Sequence, residues 1–185
     1  MNNRLLLGLL AVLFVGTSAV QAQKFSKVDV SPADIASYPS NYKESDKKVR
    51  VIYSRPKLTS PKTGEKRSVA TLAKTGEVWR TGANEAPEIT FYQDVVFGGA
   101  KVKAGTYALF SIPGEGEWTI ILNNNLNQWG AYFYDSAADV VRVKGALSTD
   151  SNSLESFSMA YKKKGDGVEL VMGWDKTRVS VPISW

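Results

Sequence analysis

From Val49 to the C-terminus, short alternating apolar segments follow one another, broken about every 10 to 15 residues by Gly, Pro or Asn. No stretch between them is long enough for a helix that crosses back over a sheet, so parallel βαβ architectures are closed to this chain. Val49, Val51 and Tyr53 alternate with Arg50, Ile52 and Ser54, the period of two that puts one set on each face of a strand. Ile89 and Phe91 oppose Thr90 and Tyr92, and Val95 and Phe97 extend the pattern. Gly98-Gly99 then supplies the positive φ angles of a tight hairpin turn. Residues 106–112, TYALFSI, are apolar on both sides and read as a central strand covered on two faces. Pro113-Gly114-Glu115-Gly116 breaks that strand, and Trp118, Ile120 and Leu122 begin the next. Val140–Val143, Phe157–Tyr161, Val168–Met172 and Arg178–Val181 complete the set, with Pro182 suited to an edge or strand end. The pattern predicts an all-β fold, an antiparallel β-sandwich of jelly-roll type.

Helix is expected at one place. Ser31-Pro32-Ala33-Asp34 has the form of an N-cap followed by Pro at the first helical position, which predicts one short N-terminal helix ending at Tyr38-Pro39. It would sit in a polar lead-in, residues 23–48, ahead of a single sandwich domain over 49–185. The Lys-, Thr- and Ser-rich stretch 57–76 is expected to loop over the surface with at most one short strand, and a short turn is expected at Ser136–Asp139.

The first 22 residues read as a signal peptide. Arg4 precedes an apolar run, Leu5 to Val15, and Val20-Gln21-Ala22 fits the small-x-small cleavage rule, placing the cut near Ala22-Gln23. The run is far shorter than the roughly 20 residues needed to span a bilayer, so no transmembrane segment is expected after cleavage. Export predicts a periplasmic or secreted protein. The chain has no cysteine, so neither disulfides nor a lipid-modified Cys can anchor or staple it, and its stability must come from packing. A domain of this size can bury roughly two thirds of its unfolded surface without such help. The net charge of +5 is mild, and its densest run, Lys162-Lys163-Lys164, adjoins a Gly165-Asp166-Gly167 turn. Basic residues are not interleaved with aromatics as in nucleic-acid modules, and no nucleic-acid partner is expected.

Composition closes several chemistries. There is no histidine, and none of the cysteine that zinc sites otherwise use. A Ser-His-Asp triad and a Cys-His pair are likewise ruled out, leaving Asp, Glu, Lys and Tyr for any acid–base work. Asp135 and Asp139 bracket a turn, but calcium needs a denser set of oxygen ligands, and the pair reads as a helix cap or hairpin turn. No metal and no cofactor is expected.

Four blocks carry a family resemblance: Tyr53-Ser54-Arg55-Pro56; GEVWRTGANEA, residues 76–86; Ala104-Gly105-Thr106-Tyr107 with Ile112-Pro113-Gly114; and NQWGAY, residues 127–132. Together they resemble an exported bacterial family catalogued as domain of unknown function 2911, and the likeness covers nearly the whole mature chain. The resemblance implies a β-sandwich and carries no activity with it. The long, lysine-rich loop between Pro56 and Gly76 departs from that pattern, so its contacts are expected to be particular to this chain.

Two constellations remain as candidate sites. In the first, Trp79 anchors a strand end, Gly82 permits a turn, and Asn84 is a residue type that tolerates left-handed geometry. Arg80 and Glu85 flank that turn with opposite charges. They either clamp the loop as an ion pair or form a working site, with Arg80 as anion clamp, Asn84 as polar reader and Glu85 as general acid or base. Arg55 could share the Glu85 carboxylate or stand as a strand-end charge. The second is NNNLNQWGAYFY, residues 123–134, where Gln128, Trp129 and Tyr132 combine amides with flat amphipathic rings. That mixture suits stacking on a sugar or flat ligand, and suits a core or rim corner as well.

These readings favour a non-catalytic binding module of the cell envelope whose partner is a polar small molecule, a saccharide or an anionic metabolite. The alternatives are a carboxylate-dependent hydrolase or lyase built on Glu85 with Asp135 or Glu88, and a structural or protein-interaction domain.

Overall fold

The computed structural model describes residues 23–185; the signal sequence expected over 1–22 lies outside the described residues. The chain is all-β: one antiparallel sheet of nine strands in the order β1-β2-β3-β6-β7-β8-β9-β4-β5. The strands are β1 (Ala33–Tyr38), β2 (Val49–Ser54), β3 (Glu88–Phe91), β4 (Val95–Phe97), β5 (Ala100–Val102), β6 (Gly105–Ile112), β7 (Glu117–Asn123), β8 (Asp139–Lys164) and β9 (Gly167–Ser184).

The expected N-terminal helix is not formed. Residues 33–38 are a strand, β1, paired residue for residue with β2 from Ala33↔Ser54 to Tyr38↔Val49. A helix of one or two turns gains little on its own, because nucleation fixes several residues for few hydrogen bonds. As a strand the same residues complete the free side of β2, and Ala36 and Tyr38 pack on the core. Pro32, which lacks an N–H, sits just ahead of this edge and uses its carbonyl to accept the Arg55 N–H.

Three further expectations are corrected. Residues 89–97 are not one strand: β3 ends at Phe91, and β4 begins at Val95 and pairs with β5 and β9 instead. The segments 140–143 and 157–161 are one long strand, β8, and 168–172 and 178–181 are one strand, β9. Pairing of β8 with β9 shifts register between Thr149 and Leu154 and again between Leu154 and Ser158. Such irregularities bend a strand, and here they let one ribbon serve both layers of the fold. The 57–76 stretch is also more than a surface loop. Residues 58–67 close a small hairpin, Leu58 is fully buried, and a one-turn helix α1 (Val69–Leu72) follows.

The inner face holds the main core: Val49 and Val51 from β2, Ile89 and Phe91 from β3, Leu109 from β6, Ile120 and Leu122 from β7, and Leu170, Met172 and Val181 from β9. The central strand β6 is covered on both faces, as its sequence demands. Its outward residues Ala108 and Phe110 form a second cluster with Ala86 and Ile121, capped by Leu126, Ala131 and Tyr134. Residues 124–135 are therefore a cover laid over the outer face of β6 and β7.

Candidate functional site

Beyond Ala108, β6 loses β3 as a neighbour, and the WRTGANEA segment takes its place. Trp79 exchanges two backbone hydrogen bonds with Ser111, at 2.7 and 2.9 Å, and the Leu109 N–H donates to the Pro87 carbonyl. Inside, the Trp79 ring is buried and stacks on Trp174 at 5.9 Å with the planes 6° apart. Trp118 and Phe157 meet it edge-on at 6.0 and 5.3 Å. Edge-to-face and offset contacts are the arrangements aromatic quadrupoles prefer, so Trp79 is first a core anchor.

The turn that follows has positive φ at Thr81 (54°) and Asn84 (58°). Asn84 was the expected left-handed residue; Thr81, not Gly82, is the other. Thr81 accommodates it by donating its buried hydroxyl to Ser111 Oγ at 3.0 Å. Gly82 serves close approach: a Cβ there would lie 3.0 Å from the Ser54 carbonyl oxygen. Gly130 N donates to the Asn84 carbonyl at 2.9 Å, Glu85 bridges Trp129, and Ala86 N donates to the Gln128 carbonyl at 2.8 Å. The two blocks singled out in the sequence, WRTGANEA and NQWGAY, are thus zipped together by their backbones.

Of the two arrangements open to Arg80 and Glu85, the ion-pair clamp is not formed. Glu85 is exposed, and among the described residues Arg80 makes no ion pair. Its Nε is buried with no hydrogen-bond partner. Burial pulls the Arg80 guanidinium below its ordinary pKa, with the nearby Tyr132 phenol opposing the shift. Even so, an arginine stays charged at neutral pH. An unpaired, half-buried cation is costly to keep, and that cost needs an explanation.

Arg80 lines a cleft of about 330 Å³. The buried Trp79 and Trp174 line it, with Ala83 and Asn84. Lys57, Lys62 and Arg67 from the 57–67 hairpin line it as well, and among the described residues no Asp or Glu does. None of these four cations is in an ion pair among the described residues. Arg67 is held in place by donating to the Leu58 and Lys57 carbonyls. Two carboxylates in the region are engaged with other partners. Asp29 accepts from Ser31 N at 2.7 Å and Asn84 Nδ2 at 3.1 Å, contacts that hold its pKa down. Glu155 accepts from Thr59 N at 2.8 Å, which lowers its pKa likewise. The arrangement is chemically suited to an anion: four cationic side chains and two tryptophans line one concave space.

The other candidates fall elsewhere. Arg55 does not line the cleft and does not meet Glu85. It donates to the Phe157 carbonyl (3.0 Å), Ser158 Oγ (2.7 Å) and Asp34 Oδ2 (3.1 Å), tying β1, β2 and β8 together. Tyr53 joins that knot, donating to Asp34 and accepting from Met159 N at 2.9 Å. Tyr132 lines a second depression beside the cleft, shared with Arg80. Trp129 is 58% exposed, and Gln128 bonds within its own loop. Glu85 and Glu88 border a smaller depression near Asn127, but Glu88 accepts from Asn127 N at 2.8 Å, and Asp135 caps the 3-10 turn Ser136–Ala138.

Sequence reasoning missed Lys57, Lys62, Arg67 and Trp174 as lining residues. The signal for three of them was the basic loop itself, which crosses from its strand to the WRTGANEA turn. It also missed a polar knot: Asp139 accepts from Tyr134, Arg142 and Asn123 at 2.6, 2.7 and 2.7 Å, fixing the cover segment to β8. Among the described residues no group of acidic, His or Cys side chains is placed to hold a metal ion, and no helix is long and apolar enough to cross a membrane.

Fold and cleft together define an all-β protein with one continuous, curled antiparallel sheet and a cationic pocket at the junction of two loops. The family described as "Protein of unknown function (DUF2911)" matches residues 31–183, and the chain belongs to it. That span takes in every strand but the last residue of β9, Ser184, and every residue of the cleft except Val30. No curated protein and no solved structure matches the chain.

Proposed function

We propose that this is an exported, non-catalytic binding protein that captures a small anionic ligand in the cleft around Arg80, in the periplasm or outside the cell. The observation that carries the reading is Arg80 itself: a half-buried guanidinium with no carboxylate partner, facing a space bordered by three more cations. A protein that needed only a stable turn would gain by replacing this residue with a neutral one. Retaining an uncompensated charge beside a cavity is the usual mark of a group whose partner arrives from solution. Between the two ligand classes expected from the sequence, the charge of the lining favours the anionic one. Glu85 lies outside this cleft, which weighs against a carboxylate-driven hydrolase at the same place.

The test is thermal unfolding with inorganic phosphate and citrate at low ionic strength. A ligand that binds only the folded state raises the midpoint, by an amount set by its concentration over its Kd. Both anions are expected to raise it in the unmodified chain, with little or no rise in Arg80→Gln. No rise with either anion, or an equal rise in the variant, would overturn the proposal.

A further inference from the structure

Arg80 lines not one depression but two. The second is a space bordered by Thr71, Leu72, Val78 and the exposed Tyr132. The charges there, Lys74 and Glu77, are paired with each other at 3.6 Å, so apart from Arg80 this second space is electrically balanced. The two spaces differ in chemistry, one cationic and the other close to neutral, and Leu72, Trp79 and Arg80 border both.

Tyr132 is set in place by its own loop. Gly130 has φ of 69°, and a Cβ built there would lie 2.7 Å from Tyr132 Cε2 and 2.8 Å from Cδ2. The ring therefore rests against the bare Cα of Gly130, which no other residue would permit. Braced on that side, the residue is still 79% exposed. The backbone bond from Gly130 to the Asn84 carbonyl fixes the loop to the same turn that carries Arg80. An exposed aromatic held at a set position beside a cation is a stacking platform next to an anion clamp.

We infer that the ligand is an acidic sugar: a carbohydrate ring bearing one carboxylate or phosphate, with its anionic group on the Arg80 side of the cleft and its ring against Tyr132. This rests on the anion-binding reading above and adds the identity of the second subsite. Sugar rings present a C–H face that packs on aromatic surfaces, while their hydroxyls can reach Thr71 and the Tyr132 phenol.

Calorimetric titration of the full chain with matched pairs tests this: glucose 6-phosphate against inorganic phosphate, and glucuronate against acetate. In at least one pair the ring-bearing anion is expected to bind roughly three- to ten-fold more tightly, the range that one aromatic contact supplies. Tyr132→Ala should remove that preference, whereas Tyr132→Phe should keep it. Equal affinity within both pairs, or a preference that survives Tyr132→Ala, would overturn the inference while leaving anion binding intact. Absence of binding by all four probes would remove the reading on which it rests.

Discussion

Arg80 and Glu85 lie five positions apart with opposite charges, yet they make no ion pair. Arg80 borders the cationic cleft, and Glu85 is exposed on a turn whose backbone is bridged to Trp129. The separation decides what each residue does for the fold. Glu85 holds nothing in place with its carboxylate; its contribution to the structure runs through its main chain.

Glu85→Gln is therefore expected to leave stability within about 0.5 kcal/mol of the unmodified chain, as at other surface positions without partners. Denaturant unfolding at neutral pH checks this. A loss of about 3 kcal/mol or more would mean the carboxylate is half of a buried pair after all.

Arg55 behaves in the opposite way. Its three hydrogen bonds link the first two strands to β8, and Tyr53 gives the buried Met159 N–H its acceptor. Tyr53→Phe strands that N–H and should cost about 1 to 3 kcal/mol. The same unfolding experiment reads it, and an unchanged midpoint would show that the knot is not stabilising.

Gly98 and Gly99 make a paired test of turn against packing. Both have positive φ, at 57° and 92°, but a Cβ on Gly98 would strike Val143 at 2.6 Å while one on Gly99 meets open space. Gly99→Ala should cost about 1 to 2 kcal/mol from backbone conformation alone. Gly98→Ala adds a clash worth roughly 1 to 3 kcal/mol more. Equal losses from the two would contradict the packing at Val143.

Alkaline pH probes the polar knot over β7. Tyr134 donates to Asp139, and its pKa is pushed up to about 12 by burial and then by that carboxylate. A phenol whose folded pKa lies above its unfolded value keeps its stabilising effect in full below about pH 10. The effect is lost as pH rises from there through about 12. Stability should fall across that window, and Tyr134→Phe should flatten the fall. An identical pH slope in the variant would contradict the assignment.

Much of this fold was legible in the strands. Alternation at Val49–Tyr53 and Ile89–Phe91 set the correct inward faces, and the two-sided apolar run of β6 correctly demanded a cover on its outer face. What was not legible came from partners distant in sequence. Residues 33–38 carry helix-start signals, and only the free side of β2 turns them into a strand. The joins within β8 and β9 pass through polar stretches such as Thr149–Ser153, where pattern alone shows a break. The same holds for the site. Trp79, Arg80 and Asn84 could be chosen from one block, but Lys57, Lys62 and Arg67 join them only because the hairpin folds over Trp174.

On the proposed function, Arg80 is kept for a ligand at the expense of the fold. Stability and anion binding of Arg80→Gln, measured side by side, test that most directly. The prediction is that the variant unfolds at the same or higher denaturant concentration, since a desolvated, unpaired charge has been removed, while its affinity for inorganic phosphate falls at least about ten-fold, as expected for a lost charged contact. A variant that loses several kcal/mol of stability yet binds phosphate like the unmodified chain would contradict it, and would make Arg80 a structural residue.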